Sequence, residues 1–203
     1  MTKFILHRAN TIKQARNLTS DCGAEIDLRL NHGELILAHD PFQAGCKFFD
    51  WLNVFSGTLL VVNVKEMGLE DIIIDAITKL KPELEYFFLD QSIPYLLSSI
   101  KRGHKCAARV SEYETTESAI LLNTEWLWID SFTGGWDHLV SIHSKKDLLQ
   151  GNKKLCIVSP ELQGRSIENS EEVEICVKKF AQLNLTIDAV CTKFPDIWRK
   201  AMQ

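Results

Sequence analysis

His7 and His39 each close a short apolar run, Phe4-Ile5-Leu6 and Leu35-Ile36-Leu37-Ala38. Two imidazoles across one site can act as general base and general acid on a phosphodiester. A single histidine at a strand end also serves as a hydrogen-bonded structural residue, and the pairing is what raises the chemical reading. Glu25 and Asp27 stand two apart in the run Ala24–Leu30, so strand alternation turns them to one face together with Arg29. Buried carboxylates on one face repel each other and lose hydration. A hard divalent cation, Mg²⁺ or Ca²⁺, would relieve both costs, because such ions prefer oxygen ligands. Solvation, or a salt bridge to Arg8 or Arg29, would relieve them too. Arg8 and Lys65 are the candidate phosphate ligands: arginine offers forked donors and lysine a point charge. Lys65 follows the apolar run Leu59–Val62 and shares a face with Asn63.

These residues need strands to hold them. Apolar runs predict strands at Lys3–His7, Ala24–Leu30, Glu34–His39, Thr58–Lys65, Tyr86–Leu89, Lys105–Val110, Trp126–Ser131, Lys154–Ser159 and Asp188–Thr192. Helical spacing occupies much of the remainder. Leu69–Leu80 carries Leu69, Ile72, Ile73, Ala76, Ile77 and Leu80 on one face, and Glu171–Leu183 repeats this with Val173, Val177, Phe180 and Ala181. Ser170 suits the cap of the second helix. Strands alternating with helices imply a parallel sheet with buried faces. Eight strands result if Glu34–His39 returns as a hairpin through Asn31-His32-Gly33, whose residues suit positive φ. The expected fold is α/β: a (β/α)8 TIM barrel, compact, with residues 1–203 as a single domain. The polar residues would then gather at its C-terminal mouth. An open doubly wound sheet should show a glycine-rich loop after the first strand, and His-Arg-Ala-Asn stands there instead.

The order of these motifs resembles the glycerophosphodiester phosphodiesterase family. That family opens with His-Arg-Gly, continues with Glu-x-Asp, a turn and a strand ending in His-Asp, and later shows Glu-x-Lys and Thr-Asp-x-Pro. The matching segments are His7-Arg8, Glu25-Ile26-Asp27, His39-Asp40, Asn63-Val64-Lys65 and Thr192-Lys193-Phe194-Pro195. The resemblance implies a barrel hydrolase that cleaves phosphodiesters with one divalent ion, Mg²⁺ or Ca²⁺. His7 and His39 would be the acid–base pair, Arg8 and Lys65 would hold phosphate, and Glu25, Asp27 and Asn63 would hold the metal. In the family a 2-hydroxyl of the glycerol can attack, giving a cyclic intermediate. The chain departs from the pattern at Ala9, where the family has glycine, at Asn63, where it has a third metal carboxylate, and at Lys193, where it has aspartate. The family's Pro-Glu-Asn-Thr segment is missing. Asn63 adds no charge, so metal affinity should fall. Glu66 points away from Asn63 and Lys65 if the strand is regular.

Arg109, Glu112, Asp130 and Glu161 end later strands and are possible substrate-pocket residues, each also readable as a loop residue or helix cap. Arg165 and Ser131 have the same standing. Trp126, Trp128 and Trp136 suit a pocket wall or the core. Phe42, Phe48, Phe49, Trp51 and Phe55 suit either an apolar rim or internal packing. Two rival functions follow: a catalytically silent barrel that binds a phosphorylated ligand, favoured by Asn63 and Lys193, and a related phospholipase-like lyase.

The bulk properties agree with a small-molecule phosphodiester as partner. A net charge of −4 over 203 residues argues against a nucleic-acid surface. No run of about 18 apolar residues is present, which argues against membrane insertion. The apolar start before His7 is too short for a signal peptide. The six cysteines form no CxxC pair. They read as reduced core thiols of a cytoplasmic protein.

Overall fold

The computed structural model describes residues 2–144, 153–167 and 170–203. The chain divides into two compact units, one of Ile5–Cys106 and one of Ala107–Gln203 joined by the chain start up to Phe4. We call them the N-terminal and C-terminal units. All nine expected strands are present, with a tenth of two residues that carries no periodicity.

In the N-terminal unit the order is β1 (Lys3–Leu6, whose first two residues belong to the other unit), α1 (Ile12–Asn17), β2 (Cys22–Asn31), β3 (Glu34–Leu37), β4 (Cys46–Lys47), α2 (Phe48–Val54), β5 (Leu59–Val64), α3 (Glu70–Leu80), β6 (Glu85–Leu89) and α4 (Ile93–Lys101). The long β2 organises this unit. Its first part pairs in parallel with β5, and β5 pairs in parallel with β6. Its last four residues turn back antiparallel onto β3. His32 and Gly33 both have positive φ, 48° and 83°, so the hairpin uses the expected left-handed two-residue turn. Every residue of β5 is buried, as an unbroken apolar run on a doubly covered strand requires.

The C-terminal unit contains β7 (Ala107–Val110), α5 (Thr116–Leu122), β8 (Trp126–Ile129), α6 (Leu139–Ser144), β9 (Lys154–Val158), a 3-10 turn at Pro160–Gln163, α7 (Glu171–Gln182), β10 (Ala189–Thr192) and α8 (Pro195–Ala201). Its strands pair in parallel in the order β10-β9-β8-β7. Val110, Leu127, Ile157, Phe180, Val190 and Trp198 share one core.

The α/β organisation and parallel pairing are those expected. The closed ring of eight ladders is not what the pairings give. Beyond β6 the N-terminal ladder shrinks to one parallel bridge, Phe88 with Cys106. The chain reaches that bridge directly from the turn at Gly103, φ 78°, and the Lys105 carbonyl accepts the Phe88 N–H at 2.9 Å.

The helical faces are narrower than their spacing implied. In α3, Ile73 and Ile77 are fully buried whereas Ile72 is 46% exposed. In α7 the buried residues are Val173, Cys176 and Phe180, and Ala181 faces out. Ser170 precedes α7 but its hydroxyl does not cap it: at φ 56° the side chain instead bonds the Glu174 carboxylate. Trp126, Trp128 and Trp136 are all core residues. Of the aromatics after His39, Phe48, Trp51 and Phe55 pack inside, with Trp51 stacked on Phe55 at 4.7 Å, while Phe42 and Phe49 are exposed. Four cysteines are buried, and desolvation pushes the Cys106 thiol up to about 12. Among the described residues no helix is long and apolar enough to cross a membrane.

The loop after His39 is held tightly to β3. A Cβ on Gly45 would lie 2.1 Å from the Leu37 carbonyl oxygen. That atom is backbone and cannot swing aside. Gly45→Ala is therefore expected to cost about 1–3 kcal/mol, read as a lowered midpoint in urea unfolding.

Candidate functional site

The site of the N-terminal unit is built around β2. Glu25 and Asp27 are 2% and 0% exposed, on the same face as the sequence required. The β2–β5 register sets Asp27 opposite Asn63. His7 and Arg8 follow β1 in a turn, and His39 follows β3. One backbone bond fastens each loop to β2: Ala9 N–H to the Glu25 carbonyl at 2.8 Å, and Ala38 N–H to the Asp27 carbonyl at 3.1 Å.

The two carboxylates are satisfied unequally. Glu25 Oε2 accepts the backbone N–H of Arg8 at 2.7 Å, with His7 Nε2 at 3.9 Å. Asp27 Oδ2 accepts Asn10 Nδ2 at 2.7 Å, and Asn10 Oδ1 accepts the Asp27 N–H at 2.9 Å. Asn10 thus grips Asp27 at two points. Arg8 Nε lies 4.0 Å from Asp27 Oδ2 and Lys65 Nζ 3.1 Å from Oδ1. The Lys65 contact is an ion pair off the hydrogen-bond direction, because Oδ1 has no hydrogen-bond donor. Burial raises the Glu25 carboxyl to about 8; the Asp27 charge pushes the same way, and the Arg8 N–H, Lys65 and the Asn63 amide pull against it.

His39 sits between a carboxylate and a guanidinium. Its Nδ1 lies 2.7 Å from Asp40 Oδ1 and its Nε2 2.6 Å from Arg8 NH2. A guanidinium can only donate. Nε2 is therefore the acceptor and Nδ1 carries the proton toward Asp40. This tautomer presents Nε2 as a proton acceptor oriented by a carboxylate, the logic of histidine bases in general.

Arg8 carries the local strain. Its φ is 51°, in the left-handed region that side chains rarely adopt. Ala9 has no positive φ and is fully buried, so the departure from glycine at that position meets no backbone penalty. The Ala9 carbonyl accepts Trp51 Nε1–H at 2.7 Å, which pins the turn to α2. Thr11 and Gln14 form a reciprocal capping box that starts α1 immediately after.

The oxygens present fit a hard cation in kind. Asp27 Oδ1 and Asn63 Oδ1 are buried and lack hydrogen-bond donors, and Glu25 is held high by burial and by the Asp27 charge beside it. Among the described residues no group of three or more His, Cys, Asp and Glu has a metal-holding arrangement, so the third oxygen would be the amide of Asn63. Its Nδ2 donates to Asp90 Oδ2 at 3.1 Å. Glu66 is not a substitute ligand: one oxygen takes Arg29 NH1 at 3.3 Å and the other the Leu30 N–H at 3.2 Å.

Three residues near this centre have roles that their spacing in the sequence does not assign: Asp90, Asp40 and Asn10. Asp90 ends the apolar strand β6, the same signal that picked out His7 and His39. Asp40 adjoins His39 in sequence, and only the folded loop turns its carboxylate to the imidazole. Asn10 gave no periodic signal, since its role depends on a loop closing onto β2.

In the C-terminal unit the remaining sequence candidates are engaged by neighbouring groups of that unit. Buried Asp130 accepts Arg109 NH1, and Gln163 Nε2 at 2.9 Å. Glu112 accepts the Ser131 hydroxyl at 2.7 Å and the N–H groups of Phe132 and Thr133 at 3.0 and 3.2 Å. Burial alone would raise its carboxyl, but these bonds outweigh it and bring the value down to about 2. Glu161 accepts the Thr192 hydroxyl at 2.6 Å and the Lys193 N–H at 2.8 Å, clamping the end of β10. Arg165 pairs with Glu172 at 2.7 Å.

No protein-family model matches this sequence, and no curated protein matches it. Solved structures do. The chain is similar to a glycerophosphodiester phosphodiesterase from Thermotoga maritima, at 16% identity over 98% of both chains with a TM-score of 0.66. It is similar to one from Parabacteroides distasonis, at 14% identity over 99% of this chain and 96% of that one, TM-score 0.62. A third, from Agrobacterium tumefaciens, matches at 11% identity over 98% and 99%, TM-score 0.66. At such identities the likeness shows the fold: this chain shares that of glycerophosphodiester phosphodiesterases over nearly its whole length.

The Glu25 carboxyl gives a pH prediction. A native value near 8 against 4.5 means the folded protein binds this proton more tightly than the unfolded chain does. Its contribution is complete below about pH 4.5 and is lost as pH rises toward 8. In EDTA, the melting temperature should fall over that window, and Glu25→Gln should flatten the fall. An unchanged slope in the variant would show that other groups govern it.

Proposed function

We propose that residues 1–203 form one phosphodiesterase-like domain that hydrolyses a small-molecule phosphodiester in the cytoplasm. The observation that carries this reading is the chain Asp40–His39–Arg8 beside the buried Glu25–Asp27 pair. It joins an oriented proton acceptor, an anion-binding guanidinium and oxygen donors suited to a cation. The shared fold supports it at the level of reaction class.

Arg8 and Lys65 hold the non-bridging phosphoryl oxygens. Glu25, Asp27 and Asn63 would hold one Mg²⁺ or Ca²⁺, which when bound supplies charge against the developing negative charge on phosphorus-bound oxygens. His39 Nε2 takes the proton of the attacking oxygen, from water or a neighbouring substrate hydroxyl. That oxygen bonds to phosphorus, the bond to the leaving oxygen breaks, and His7 protonates the departing alkoxide. The products are a phosphomonoester and an alcohol, or a cyclic phosphate and an alcohol when a neighbouring hydroxyl attacks. The left-handed turn at Arg8 keeps its guanidinium on His39 Nε2, beside the buried carboxylates, so the anion-binding group and the base stand next to each other before substrate arrives.

A second reading has its own observation. Lys65 already neutralises Asp27 and Asn63 is neutral, so two carboxylates alone would hold the metal. A chain of this kind could bind a phosphorylated ligand without cleaving it.

Glycerophosphodiesters and simple phosphodiesters, assayed with Mg²⁺ or Ca²⁺ and with EDTA, separate the two. Metal-dependent turnover that falls about 10²-fold or more in His39→Ala, at unchanged melting temperature, is the expected result. Absence of turnover with either metal, alongside measurable phosphate-ester binding, would leave only the binding reading.

A further inference from the structure

A cavity of about 620 Å³ lies at the far end of β2, within the N-terminal unit. Its volume is in the range of small-ligand pockets. Leu30, Ile36, Pro41 and Phe42 give it apolar surface, and Arg29 and Glu66 give it a polar side. Two routes connect it to the candidate base. Arg29 donates through Nε and NH2 to the His39 carbonyl at 3.3 and 3.0 Å. Gln43, also in the wall, reaches Asp40 Oδ2 at 3.5 Å, and Asp40 holds His39 Nδ1.

The charges of the wall cancel internally. Apart from His32, the ionisable lining residues are Arg29 and Glu66, and they pair at 3.3 Å. The second Glu66 oxygen is taken by the Leu30 N–H. Neither an anionic nor a cationic ligand finds an uncompensated partner here. The apolar surface is offered without one. Phe42 is fully exposed, at 105%, and its φ of 63° is unusual for an aromatic residue. Its loop is pinned against β3 at Gly45. The ring stands exposed at the pocket rim, where it adds to the apolar surface of Leu30, Ile36 and Pro41 that a ligand in the pocket would cover.

We infer that this pocket takes one alcohol arm of the phosphodiester, and that the arm is an uncharged group with an apolar face of about the size of an aromatic ring. The inference rests on the phosphodiesterase reading and narrows it to apolar esters, as against esters of glycerol or of charged amino alcohols. Phe42 is the specificity-determining residue.

Calorimetric titration with diphenyl phosphate and dimethyl phosphate, in Mg²⁺, tests it on the full chain. Wild type should bind the diphenyl ester about tenfold or more tightly than the dimethyl ester. In Phe42→Ala, an exposed position whose loss leaves the core intact, the ratio of the two affinities should fall by several-fold. Equal affinities in wild type, or a preference undiminished in the variant, overturn the inference. Phenol release followed in parallel reports the chemistry separately. Preference without release keeps the pocket and removes the enzyme; release without preference does the reverse.

Discussion

The N-terminal unit is organised around the cost of keeping Glu25 and Asp27 side by side, both buried, on one strand. Like charges out of water raise each other's affinity for protons, and here Glu25 is held near 8. The neighbouring polar groups answer that cost one by one. The turn after β1 lends the Arg8 N–H to Glu25. Asn10 grips Asp27 from two directions, Lys65 pairs with it, and Asn63 turns its amide hydrogens toward carboxylates. Loop geometry that would look arbitrary alone, such as the left-handed Arg8, becomes intelligible as the shape that brings a backbone donor to a buried acid.

The same arrangement explains which departures from the family pattern are cheap. Ala9 is tolerated because the positive φ falls one residue earlier. Asn63 is a deeper change. A carboxylate there would face both Glu25 and Asp90, whereas the amide donates to an acid and leaves only its oxygen for a cation. The strand neighbours Asp27 and Asn63 therefore trade charge for hydrogen bonding at fixed register.

Much of this was legible from residue order. Strands were readable because parallel strands buried on both faces leave unbroken apolar runs, and β5 and β8 are such cases. The shared face of Glu25 and Asp27 followed from alternation alone. Three things were not readable. The two-residue β4 is too short to show a period. Asn10 acts across a loop closure, and sequence spacing carries no information about which loop returns to which strand. The chemistry assigned to Arg109, Glu112, Asp130 and Glu161 assumed that a charged residue at a strand end is available. Each is engaged within its own unit: Glu112 in the loop after β8, Glu161 on the end of β10, and Arg109 on Asp130. The number of hydrogen bonds a carboxylate will accept from its own backbone cannot be counted before the loop is folded.

The contact between Arg8 and His39 has a consequence of its own. The only lone pair His39 can offer is occupied, at rest, by the residue expected to bind the substrate's charge. On the proposed phosphodiesterase reading, the anionic oxygen of an incoming phosphodiester would compete for that guanidinium, and Nε2 would be freed as Arg8 turned to it. Recognition of charge and release of the base would then be one event. A phosphotriester offers no such anion, so it would meet the site with its base still latched.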